Sequence, residues 1–273
     1  MFWYYYLNPI LIAAAVIPAV ALLVKVYRAD RLERESWVLL ISLVIGGVIA
    51  TALAKVTERA GDFLLNLVFP NSPELYNIFM FFGVVAFSEE GFKYLLLKRR
   101  TWYDPEFNSQ FDGVVYAVFV SLGFALWENI AYVLMYGFGT ALVRAVTAVP
   151  GHACFGVFMG AWYGFAKRYQ NAGNESMSKL CRVLAVVAPA LLHGAYDYIA
   201  SGSAQKSEWM FIVFIAALFV AAFLLVRKLS RNDRYILIWN FHALASFRKE
   251  DASACFWAGN AIANGGALAY DRV

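Results

Sequence analysis

The chain has 273 residues, of which 62% are hydrophobic and only 15% charged, with a mean hydropathy of +0.59. Soluble domains carry roughly 25% charged residues, so the composition excludes an ordinary soluble enzyme and predicts an all-α polytopic membrane protein. The net charge of +4 says little by itself, because in a membrane chain what matters is which loops hold the cations, and no nucleic-acid partner is expected. Cys154, Cys181 and Cys255 are far apart and show no CxxC spacing. They argue against both a disulfide framework and a thiolate metal site.

Seven apolar stretches are predicted to span the bilayer, each near the ~20 residues a helix needs to cross it. In chain order they are 10–26, 37–54, 78–97, 112–135, 142–166, 180–200 and 209–226. Trp3, Tyr4, Tyr5 and Tyr6 read as an interfacial aromatic belt before the first, with no cleavable signal peptide expected. Residues 55–77 read as a loop carrying an apolar patch, 63–69, that forms an interfacial helix ended by Pro70. Gly137-Phe138-Gly139 reads as a tight turn. Residues 1–234 form the expected membrane domain, with its core at 75–200, and 235–273 a tail of unassigned structure.

The basic residues gather after spans one, three, five and seven, while Lys55, Arg59, Arg144 and Lys206 face the opposite side. The positive-inside rule then puts the N-terminus outside and the tail in the cytoplasm.

Against this apolar background the third span carries Phe87-Ser88-Glu89-Glu90-Gly91-Phe92-Lys93. A charged group at a helix centre costs roughly 2.5–3.5 kcal/mol on insertion scales, so such groups pair, line water or do chemistry. Helical spacing puts Glu89 and Lys93 on one face as a neutralising pair. Glu90 points about 100° away and needs another partner. The fourth span adds Glu128-Asn129, the fifth His152, and the sixth His193 with Asp197 four residues on. Pro150 and Pro189 precede the histidines and are placed to open those helices locally. Spans one, two and seven carry no such groups, and helix rise permits the polar residues to share one band near the midplane.

Carboxylates and imidazoles converging in a dehydrated cavity suit hydrolysis. A buried glutamate can serve as general base on water. His152 and His193 with Glu128 would make a zinc ligand set that leaves a position for water, with Asp197 orienting His193; a metal-free route, in which the histidines polarise the carbonyl, stays open. No His-Glu-x-x-His or Gly-x-Ser-x-Gly pattern is present.

The succession Glu89-Glu90-x-x-Lys93, Asp112-Gly113…Gly123-Phe124-Ala125…Glu128-Asn129, His152 and His193-x-x-x-Asp197 resembles the PrsW family of intramembrane proteases. That family lies within the wider superfamily of CAAX prenyl endopeptidases and bacterial CPBP proteins. The resemblance implies a membrane endopeptidase that cuts a membrane-anchored, anti-sigma-factor-like protein at the start of a stress response. It implies catalytic roles for Glu89, Glu90, His152 and His193, supported by Lys93, Glu128, Asn129 and Asp197. Asp197 departs from the Asn that often ends the last motif. Two readings of another kind use the same groups. One is a proton-coupled transporter, disfavoured by the lack of inverted repeats; the other is a non-catalytic membrane scaffold. The sequence leaves the substrate's identity and the oligomeric state open.

Overall fold

A computed structural model of the chain describes residues 9–202 and 207–236. The aromatic belt at Trp3–Tyr6, together with Lys206, His242 and Cys255, lies outside the described residues. Nine α-helices are present among those residues: α1 (Pro9–Ala29), α2 (Trp37–Val68), α3 (Pro73–Ile78), α4 (Ala86–Thr101), α5 (Asp112–Tyr136), α6 (Phe138–Val146), α7 (Ala148–Asn171), α8 (Glu175–Ala200) and α9 (Ser207–Arg231). A π-helical segment, Phe79–Val85, joins α3 to α4 without a break. No strand is named among the described residues, and the fold is that of an all-α polytopic membrane protein.

Six stretches are long and apolar enough to cross a bilayer: Pro9–Ala29, Trp37–Val68, Asp112–Tyr136, Phe138–Asn171, Glu175–Ala200 and Glu208–Arg231. The expected third span is the α3–π–α4 rod. It is not one of these six, and its Glu89, Glu90 and Lys93 are buried by neighbouring helices.

The centre of the bundle is α5, every residue of which from Asp112 to Ala125 is buried. A helix apolar all round has no lipid face to offer, and α5 is packed chiefly by α7 and α2, with α1 and α4 completing its surround. Close approach is set by small residues, as in other membrane bundles. A Cβ added at Gly123 would stand 2.2 Å from the Val44 carbonyl oxygen, and one at Gly160 would stand 2.4 Å from both the Gly113 oxygen and the Val114 Cα.

Two expectations are overturned. Residues 55–68 are not a loop with an interfacial helix, since α2 runs unbroken from its cap at Ser36, whose Oγ accepts from the Leu39 amide, to Val68. Lys55 does not end the helix because it finds carboxylates inside the protein, and no helix breaker intervenes before Pro70. The fifth span is not one helix from 142, since a non-helical residue, Thr147 (φ −121°, ψ −75°), divides α6 from α7. Pro150 therefore lies in the first turn of α7, where its missing N–H has no helical partner to lose, rather than opening a continuous helix beside His152. The turn between α5 and α6 is made by Gly137 at φ +85°.

The tight crossings yield a prediction. Gly123→Ala and Gly160→Ala must push backbones apart, and each is expected to lower the stability of the purified protein by about 1–3 kcal/mol or more. Gly139→Ala, whose added Cβ meets nothing within 4 Å, should leave it within about 0.5 kcal/mol. Thermal unfolding in one detergent compares the three.

Candidate active site

One ammonium sits at the middle of the polar groups. Lys93 Nζ lies 2.8 Å from Glu90 Oε1, 3.4 Å from Glu89 Oε2 and 3.1 Å from His152 Nδ1, and 4.0 Å from the centre of the Phe124 ring. The expected Glu89–Lys93 pair is thus the longer of two. Lys93 favours Glu90, one turn back at i−3, and Glu90 finds its second partner in His193 Nδ1 at 2.9 Å. The carboxylates, the lysine and both imidazoles are buried: Lys93 and Glu90 are 0% exposed, Glu89 2%, and His152 and His193 4% each.

An ammonium donates, so it fixes His152 Nδ1 as acceptor and leaves the proton on Nε2. That nitrogen lies 3.1 Å from Glu128 Oε2, giving a carboxylate–imidazole pair between α5 and α7. Arg144 Nη2 donates to the same Glu128 oxygen at 2.8 Å, and its Nε to Asn129 Oδ1 at 2.9 Å. Asn129 in turn donates to the Ala15 carbonyl of α1 at 2.8 Å. His193 turns Nε2 toward Asp197 Oδ2 at 3.4 Å and Glu89 Oε2 at 3.7 Å. Its ring stacks on Phe155 with centroids 4.7 Å apart, and the two imidazole centroids are 5.2 Å apart.

These groups border a chamber of about 190 Å³, whose wall includes Lys55, Glu89, Glu128, Arg144, His152, His193 and Asp197. Glu90 lies behind it. Glu89, Glu90, Lys93, Glu128, Asn129, His152, His193 and Asp197 are therefore brought to one place, whereas Asp112, from the same succession, begins α5 and lies away from the chamber.

Sequence reasoning missed three of the neighbours. Lys55 lies 2.8 Å from Glu58 and 3.7 Å from both Glu89 and Glu128, so α2 does contribute polar groups. Arg144, counted from the sequence as a cation of the outer side, faces the chamber from α6. The signal for Lys55 and Arg144 was a lone cation next to an apolar run, which near a span end is ordinarily a topology marker; Glu58 gave none of its own.

The donor set suits a metal. Glu89, Glu90, His152 and His193 each offer one ligand atom, all within 4.8 Å of one another, and imidazole with carboxylate is a nitrogen–oxygen set favoured by zinc. Glu128 meets His152 from the opposite ring nitrogen. Glu58, Glu89, Glu90, Glu128 and Asp197 outnumber the fixed cations Lys55, Lys93 and Arg144 around the chamber, and the buried Glu90 Oε2 has no hydrogen-bond partner. Both features favour a further positive charge.

Such an array, held among bilayer-length helices, defines a class: an integral membrane protein with a buried carboxylate–imidazole site. Residues 34–226 match the sequence model of the PrsW family intramembrane metalloprotease. A Protease PrsW of Shouchella clausii is 33% identical over 221 residues, covering 81% of this chain and 97% of that protein. Those of Oceanobacillus iheyensis and Bacillus subtilis are 30% and 31% identical over 214 and 215 residues, covering 77% and 75% of this chain and 93% and 90% of theirs. No solved structure matches. The chain belongs to the PrsW family of intramembrane metalloproteases, and it is a membrane-embedded peptidase.

Lys93 makes the site sensitive to single changes. Removing one partner of a buried ion pair costs about 3–5 kcal/mol, because the other charge is left uncompensated. Lys93→Met is expected to destabilise the protein by that order. Glu89→Gln/Glu90→Gln/Lys93→Met should recover part of the loss, as read by thermal unfolding.

Proposed function

We propose that this chain hydrolyses a peptide bond in a membrane-anchored, single-span protein of the anti-sigma-factor type, with Glu89 as general base. The observation that carries the reading is the convergence of Glu89, Glu90, His152 and His193, from three different helices, beside one small chamber. Membership in a protease family supports the bond class. The substrate type rests on the family resemblance alone.

Glu89 borders the chamber and is the acid free to take a proton from water and pass it to the leaving amine. Glu90, shared between Lys93 and His193, holds those two groups rather than the water. Glu128 fixes the tautomer and plane of His152, the role of a carboxylate behind a functional imidazole, and Asp197 does the same for His193. Asn129 anchors Arg144 to α1. Glu90, His152 and His193 would hold a zinc ion, whose chemistry when bound is to polarise a carbonyl and to acidify water. Lys55 brings positive charge to the chamber wall, where the carbonyl oxygen gains negative charge in the transition state. In this reading residues 1–234 are the protease domain, with its core at 75–200. The α3–π–α4 rod makes a seventh crossing, and the N-terminus lies outside.

The test uses full-length protein in detergent or liposomes with a single-span substrate. Glu89→Gln is expected to lower the cleavage rate about 10²–10⁴-fold, and Glu128→Gln about 10–100-fold, with expression preserved. A fully active Glu89→Gln/Glu90→Gln double variant overturns the mechanism. A preparation verified to be metal-free is expected to lose activity and regain it with zinc; unchanged activity would assign the chemistry to the glutamates and histidines alone.

A further inference from the structure

A second group of acids lies at the other end of α5. Asp30 and Glu35, from the α1–α2 connection, and Asp112, at the start of α5, each offer one carboxylate oxygen, all within 4.8 Å of one another. They are 8%, 4% and 1% exposed. Asp233, from the stretch after α9, joins them by bonds to the Ser109 hydroxyl at 2.8 Å and the Phe111 amide at 3.0 Å. Among the described residues no lysine or arginine is ion-paired to any of the four. Arg34, next in sequence to Glu35, lies over the Tyr27 ring instead.

The hydrogen bonding is unevenly shared. Asp112 accepts the Asn108 and Ser109 amides at 3.0 and 2.6 Å, and Glu35 Oε2 accepts the Tyr116 hydroxyl at 2.6 Å. Glu35 Oε1, both oxygens of Asp30 and the nearby Asn108 Oδ1 are buried without a partner. The Leu32 amide faces Asp30 without completing a hydrogen bond to either oxygen. Whichever Asp30 oxygen turns into the cluster is therefore an orphan, on a side chain more than nine-tenths buried. Buried carboxylates held this close repel one another and forfeit hydration. Burial, with the neighbouring carboxylates adding to it, pushes Asp30 up to about 6 and Glu35 up to about 9.

We propose that Asp30, Glu35 and Asp112, with Asn108 beside them, form a binding site for a hard divalent cation, Ca²⁺ or Mg²⁺. The donors are all oxygens, the set such ions select, and carboxylate with amide carbonyl is their usual protein complement. The ion answers the missing counter-charge and gives the orphan oxygens a partner. It also ties the α1–α2 connection to the start of α5, beside the segment after α9 that Asp233 and the Ser109–Tyr235 bridge hold in place. The site is separate from the Glu89–His193 chamber and independent of the peptidase reaction.

The experiment is thermal unfolding of full-length protein in detergent, stripped with EDTA and then given Ca²⁺ or Mg²⁺ alone up to about 10 mM. The midpoint is expected to rise by several degrees, as mass action requires of an ion that binds only the folded state. Asp30→Asn/Glu35→Gln is expected to be no less stable than the parent in EDTA and to need at least ten times more cation for the same rise. A parent midpoint that ignores both ions overturns the proposal and leaves protons as the cluster's neutralising charge. A response undiminished in the double variant also overturns it, since the ion then sits elsewhere. Should that variant not express, Tb³⁺ emission excited through tyrosine decides. Emission that Ca²⁺ displaces and Tyr116→Phe weakens supports the site, and its absence refutes it.

Discussion

The structure depends on what surrounds Lys93 Nζ. A lone ammonium at that depth would be among the most expensive groups in the chain, and it is tolerated because Glu90, Glu89, His152 and the Phe124 ring enclose it at once. That requirement fixes three helices relative to each other. α4 must turn its acids inward, α7 must bring the first turn after Pro150 alongside, and α5 must present Phe124 between them. Glycine contacts such as Gly123 against Val44 supply the close spacing that short polar contacts demand.

Much of the site was legible because charge inside an apolar run is conspicuous. Glu89, Glu90, Glu128, His152 and His193 stood out against their neighbours, and their succession carried the family resemblance. Lys55 and Arg144 were hidden for the opposite reason, being cations near the ends of apolar runs, where positive residues usually mark the membrane edge. The preference of Lys93 for Glu90 was not readable from spacing, since i−3 and i−4 are both helical neighbours and the reach of His152 and His193 decides between them. The break at Thr147 and the π turn at Phe79–Val85 left no composition signal. Each is imposed by packing against other helices rather than by local propensity.

The two ends of α5 handle buried acid differently. Near Glu128 the carboxylates are interleaved with Lys55, Lys93 and Arg144, so proton and charge can be exchanged among many close partners. Near Asp112 the acids meet each other, the Tyr116 and Ser109 hydroxyls and backbone amides. One central helix thus links a region of mixed charge, suited to chemistry, with a region of acids without cations at its opposite end.

The π-helical segment sets the angular phase of the rod that carries Glu89 and Glu90. Such a turn accommodates one residue more than an α-turn, and a single residue is worth about 100° of rotation and 1.5 Å of rise. Were Phe79–Val85 wound as ordinary α-helix, Glu89 and Glu90 would be swung a quarter-turn or more with respect to α3, and the face now clasping Lys93 would no longer meet α7 and α8. The close crossing of Gly194 over Phe82, where an added Cβ would come within 2.6 Å of the ring, acts as the clamp that keeps the wide turn in register.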